Sequence, residues 1–197
     1  MLATFGRKRG FALVLEDDVA LRPELAPLLS DSDWIPNEFG LIKVEKYNAH
    51  RVSKLLMGAA VRVADQKGVA IRRLFSRHTG SAGYIISRSA AQRTLRYIGR
   101  IDVPIDHFLF NETVSPMLGP EFRPAMLIPS VVAQLPDPGG SVIAIVPPPG
   151  IATRWQRRML SFRRARAEAR LWHKQIFWTI TGRARVVAVT FEPIGRE

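Results

Sequence analysis

The sequence predicts an α/β domain, on three observations. An apolar run, Phe11 to Leu15, ends abruptly in three carboxylates, Glu16, Asp17 and Asp18. A second apolar run, Gly40 to Glu45, and a Tyr/Ile run before Ser87 have strand character. Helix-start signals follow the first and third of these runs.

Phe11 to Leu15 reads as a short strand buried on both faces. Acids at the mouth of a buried strand are costly unless a cation or a hydrogen-bonded ligand compensates them. In open α/β sheets, ligands sit outside the carboxyl ends of strands. Glu16 to Asp18 therefore reads as a site for a hard divalent ion whose other ligand is a phosphate. The same acids also fit a solvated turn in which one of them caps the next helix.

Pro23 and Glu24 suit a first helical turn, and Pro27 keeps any helix there short. Pro36 lies in a polar turn, and Gly40 to Glu45 is the next strand. Residues 46–68 fit neither helix nor strand clearly, and Val69 to Phe75 reads as a strand. Gly80 and Gly83 flank a small-residue turn that feeds Tyr84 to Ile86. Ser87 or Ser89 then caps a helix through Leu95 to Ile98, which Gly99 would end. Pro104 keeps Val103 extended, and a turn or helix covers His107 to Phe110. Ala125 to Ile128 and Val131 to Ala133 are two further apolar pieces.

Residues 136–150 hold five prolines and three glycines and read as a linker between a domain over 1–135 and an extension over 151–197. In that extension Trp155, Met159, Phe162, Ala165, Ala169, Trp172 and Ile176 recur at three- and four-residue steps, the face of an amphipathic helix. The plain reading packs Trp155, Trp172 and Phe177 on the domain.

Composition narrows the classes. The chain has 197 residues and no cysteine, which excludes disulfides and thiolate metal sites and fits a reducing cytosol. No apolar run approaches a bilayer span, and the five-residue run after the basic start is too short for a secretory signal. The net charge of +12 is uneven: residues 151–197 hold 11 Lys/Arg against 3 Asp/Glu. Such a surface attracts anionic partners. An interfacial helix over 154–178 on an anionic membrane is expected from basic residues opposite Trp and Phe. Nucleic acid is not expected, since no recognition motif accompanies the charge.

Three pieces occur in order: Leu15-Glu-Asp-Asp-Val19, Gly80-Ser-Ala-Gly-Tyr-Ile-Ile-Ser87, and Val103-Pro-Ile-Asp106. Together, over roughly residues 10–135, they resemble glycosyltransferase family 25, the lipooligosaccharide sugar transferases. The resemblance implies a GT-A-like, Rossmann-related nucleotide-sugar transferase domain. It implies transfer of a hexose, often galactose, from a UDP-sugar to a lipopolysaccharide or related glycan, with inversion and with Mn²⁺ or Mg²⁺. Asp18 would hold the metal, and Glu16 and Asp17 would contact the ribose and the metal's water shell. Gly80 and Gly83 would let backbone approach the donor, and Asp106 would bind the acceptor or act as general base. Measured against the family, the chain is expected to lack one strand–helix unit at its start. The expected location is the cytoplasm, peripheral to the inner face of a bacterial inner membrane. The rival readings are an inactive, truncated remnant that binds membrane or a partner, and a basic nucleic-acid-binding protein whose acids are structural.

Overall fold

A computed structural model describes residues 2–5, 10–47, 52–63, 68–101, 104–111, 124–135, 169 and 171–191. Its strands are β1 (Leu2–Phe5), β2 (Phe11–Leu15), β3 (Val19–Leu21), β4 (Leu41–Lys43), β5 (Glu45–Lys46), β6 (Ser53–Arg62), β7 (Ala70–Leu74), β8 (Gly83–Ser87), β9 (Ala125–Ile128), β10 (Val132–Gln134) and β11 (Arg185–Val189). Its helices are α1 (Leu25–Ser30), α2 (Arg88–Leu95), α3 (Ile105–Phe110) and α4 (171–180).

Eight strands form one mixed sheet in the order β1-β2-β8-β4-β9-β7-β6-β11. β8 runs antiparallel between β2 and β4, and β9 runs parallel to β4. The carboxyl ends of β2, β4 and β9 therefore lie along one edge, beside the start of β8. Each of these three strands breaks briefly and continues into a three-stranded sheet, β3-β10-β5. Glu16 to Asp18, Val44 and the Pro129 to Val131 segment are the three breaks.

The large sheet is covered on both faces, which makes the fold α/β. One face packs Phe11, Leu13, Leu15, Ile42, Ile85 and Leu127 under Leu25 and Leu28 of α1 and under Ile35 and Phe39. The other packs Leu41 and Ile86 under Ala90 of α2 and Phe108 to Phe110 of α3, with Ala12, Val14 and Tyr84 partly buried. β2 is thus fully buried at Phe11, Leu13 and Leu15 and only partly so at Ala12 and Val14. The expectation of a strand buried on both faces holds in part, since the two short helices leave Ala12 and Val14 half-buried.

Local signals behave as the residues dictate. Ser87 caps α2 through its Oγ, which accepts a hydrogen bond from Ala90 N at 3.2 Å. The helix stops at Leu95, before the expected Ile98, and Ile98–Arg100 forms a separate 3-10 turn. The expected strand Gly40 to Glu45 is split at Val44 between the two sheets. β6 occupies part of the ambiguous stretch.

The expected linker at 136–150 and the helix before residue 169 lie outside the described residues. The described part of the expected extension is integral to the domain. β11 pairs with β6 through all five of its residues, and α4 precedes it. Val187 and Val189 of β11 join the Leu55, Met57, Leu74 and Met126 cluster, so the apolar strand completes a core.

Candidate active site

The acids at the end of β2 are drawn together by residues from two other elements. Glu16 N donates to Ala82 O at 3.0 Å and Leu135 N to Asp18 O at 2.9 Å, which ties the acidic break to β8 and β10. Gln134 Nε2 then reaches both carboxylates, at 3.0 Å from Asp18 Oδ2 and 3.4 Å from Glu16 Oε2. The other Glu16 oxygen accepts from Ser81 Oγ at 3.0 Å. Asp18 Oδ1 is buried without a hydrogen-bond partner among the described residues. Asp17 lies exposed between the two.

Gly80, next to Ser81, meets the third motif. Its N–H donates to Asp106 Oδ2 at 3.0 Å, while Asp106 Oδ1 accepts from His107 N at 2.9 Å. The His107 ring, 3.0 Å from Arg77 Nη2, stands 4.0 Å from the same carboxylate. Two consecutive residues, Gly80 and Ser81, therefore tie Asp106 to Glu16.

A buried ion pair lies beneath this turn. Lys43 and Glu45, two apart along the chain, are both fully buried with 2.8 Å between Nζ and Oε1. Lys43 Nζ also donates to Thr79 O at 2.8 Å and to Gly80 O, and stands 4.7 Å from the centre of the Phe110 ring. Burial pushes the Lys43 ammonium down and the Glu45 carboxyl up, each opposed by attraction to the other. Gly80 has φ +91°, and a Cβ there would stand 2.7 Å from Glu45 Oε1, so only glycine fits the turn. Gly83 serves packing: a Cβ would meet Val132 and Leu15 at 3.0–3.3 Å.

Two further groups border the pair. His78 is buried and held neutral, its pKa pushed to about 3 by burial and by the Lys43 charge. Tyr84, edge-on to Phe110, has its hydroxyl pushed up by burial and by Glu16.

The family model for glycosyltransferase family 25 (LPS biosynthesis protein) matches residues 7–109, more than half of the chain. The chain belongs to glycosyltransferase family 25. No curated protein matches it.

The matched span of this family 25 domain carries the acids of β2, the Gly80 turn and Asp106. Of the sequence-predicted residues, the structure brings Glu16, Asp18, Gly80 and Asp106 into one hydrogen-bonded set. Asp17 faces solvent, and Gly83 lies inside the sheet between Leu15 and Val132. Ser81, Gln134, Lys43 and Glu45 are the members that sequence reasoning missed. Lys43 and Glu45 did leave a signal: two charges at period-two spacing in an apolar strand share one face. Gln134, outside the matched span, left none.

Groups of three or more His, Asp or Glu able to hold a metal do not occur among the described residues. A magnesium-type cation takes one or two carboxylates and completes its shell with water and phosphate oxygens. The unpartnered Asp18 Oδ1 beside the Glu16 carboxylate fits that smaller requirement.

Proposed function

We propose that this chain is a GT-A-type hexosyltransferase that moves a hexose from a UDP-sugar to a lipopolysaccharide or related glycan. Galactose is the first donor sugar to test. The observation that carries the reading is the Gly80–Ser81 turn, which ties Glu16 on one side to Asp106 on the other.

Asp18 and Glu16 would hold Mn²⁺ or Mg²⁺, which when bound supplies Lewis-acid neutralisation of the UDP diphosphate. Gln134 orients both carboxylates. In this reading exposed Asp17 would meet the donor's ribose, and backbone at the Gly80 turn would approach the donor. The acceptor hydroxyl oxygen forms the new bond to the anomeric carbon as the bond from that carbon to the UDP oxygen breaks. UDP leaves with the electron pair, and Asp106 takes the hydroxyl proton. Each Asp106 oxygen accepts one backbone N–H, which fixes its direction and leaves a lone pair for the hydroxyl.

Calorimetric titration of UDP into the chain, with and without Mn²⁺, tests the reading. Metal-dependent binding that disappears in Asp18→Ala is expected, together with loss of sugar transfer. Transfer by Asp18→Ala at the native rate would overturn the metal role. If Asp106 takes the proton in a single displacement, the product anomer is inverted. A retained anomer, read by NMR, would confine Asp106 to acceptor binding.

A further inference from the structure

α4 carries two apolar faces on opposite sides, and only one is used by the fold. The inner face holds buried Leu171, Gln175, whose Nε2 donates to Phe75 O at 3.3 Å, and Trp178, whose ring lies 4.3 Å from that of Phe75. At roughly 100° per residue, Trp172, Ile176, Ile180 and Phe177 fall on a separate arc of about 140°. These four are exposed at 61, 46, 80 and 55%. Val186 of β11, the strand that follows α4 in the chain, is also exposed, at 65%. Trp172 and Phe177, expected to pack on the domain, face solvent instead, because Trp178 and Leu171 take the inward positions.

Among the described residues, the charges of α4 and of the turn into β11 have one sign. Residues 171–191 contain Lys174, Arg183 and Arg185 and no acid, and residues 151–170 of the sequence hold seven arginines against one acid, Glu168. Arg183 and Arg185 are exposed at the end of α4 and the start of β11. Large apolar side chains with aromatic members, bordered by cations, match the headgroup region of an anionic bilayer. A second copy would set one chain of net charge +12 against another, with no acid in 169–191 to offset the repulsion.

The inner contact of α4 is close in the chain to the site. Phe75, which α4 grips, is five residues from Gly80, so the two are separated by no more than about 18 Å of chain. We infer that the outer face of α4, with Val186, Arg183 and Arg185, docks the protein on an anionic phospholipid surface and so places the acid cluster beside a lipid-anchored acceptor. The second half of this inference rests on the proposed transferase reading; the first does not.

Co-sedimentation of the full chain with phosphatidylcholine vesicles, with and without phosphatidylglycerol, tests it. Binding should need phosphatidylglycerol and weaken in high salt. The exposed double substitution Phe177→Glu/Ile180→Glu should reduce binding by at least about tenfold per side chain, with the circular dichroism unchanged. Equal binding to pure phosphatidylcholine would overturn the anionic partner. Absence of vesicle binding, or concentration-dependent self-association abolished by the same substitutions, would overturn the membrane role. UDP titration of the double variant separates the two readings. Retained UDP binding with lost vesicle binding leaves the transferase site intact. Vesicle binding without UDP binding by the native chain would sink the site alone.

Discussion

Replacing Lys43 with Met removes a fully buried charge and leaves three acceptors behind. Glu45 loses its 2.8 Å partner in a fully buried site, and the carbonyls of Thr79 and Gly80 lose their donor. Breaking a buried pair from one side costs about 3–5 kcal/mol. Part of that is relieved when Glu45 takes up a proton, and part is restored by the two orphaned carbonyls at about 1–3 kcal/mol each. A net loss of about 3–5 kcal/mol is expected, comparable with the whole stability of a small domain. The double variant Lys43→Met/Glu45→Met should recover at least about 2 kcal/mol of it, since no buried charge is then uncompensated. The pH dependence has a definite sign. Glu45 has a raised carboxyl pKa, so its contribution is present below its unfolded value and lost as pH rises through the folded one. Lys43 is lowered, so its contribution is present above its unfolded value and lost as pH falls through the folded one. In Lys43→Met only the first effect remains and is stronger, so the cost of the substitution should be smaller near pH ~5 than near pH ~8. Urea unfolding followed by circular dichroism reads all three numbers. A Lys43→Met variant within about 1 kcal/mol of the native protein, or a double variant no better than the single, would refute the reasoning.

Four further outcomes follow from the same geometry. Gly80→Ala, forced to φ +91° with its Cβ 2.7 Å from a carboxylate that Lys43 holds in place, should lose about 2–4 kcal/mol in denaturant titration. His78, with its folded pKa depressed to about 3, contributes stability that is complete above its unfolded value and drains away as pH falls toward the folded one. The slope should approach about 1.4 kcal/mol per pH unit in that window and should flatten in His78→Leu. Asp106→Asn keeps an acceptor for the Gly80 N–H but removes the base, so kcat should fall by about 10²–10⁴ with KM little changed. Gln134→Ala should weaken Mn²⁺-dependent UDP binding by roughly 10–100-fold without unfolding the protein, a titration that would clear Gln134 of any role if unchanged.

Much of the fold was legible where one local signal prevailed. The Phe11–Leu15 run, the Ser87 cap and the glycine turn before Tyr84 each declared their element through burial, a hydroxyl or a missing Cβ. β6 stayed ambiguous because Leu55, Leu56, Met57, Ala59 and Ala60 favour helix as readily as strand. Its state is imposed by β7 and β11 on either side, with a register shift between Met57 and Ala60. Of the site, the acids stood out because charges abutting an apolar strand are conspicuous. Gln134 could not be found this way: a glutamine becomes a carboxylate clamp only once β10 is laid beside β3, about 110 residues away in the chain. The outward turn of Trp172 and Phe177 was hidden for a related reason, since periodicity gives the spacing of a face and not which face meets Phe75.

The pairing of β11 with β6 bears on how the chain is made. β6 leaves the ribosome more than a hundred residues before the strand that covers its outer edge. Until then ten residues of it present an open row of amides and carbonyls, the template on which nascent chains pair with one another. Clipping residues 171–191 to obtain a smaller, better-behaved protein would make that transient hazard permanent. Expression yield of such a truncation, relative to one that spares α4 and β11, should fall sharply into inclusion bodies.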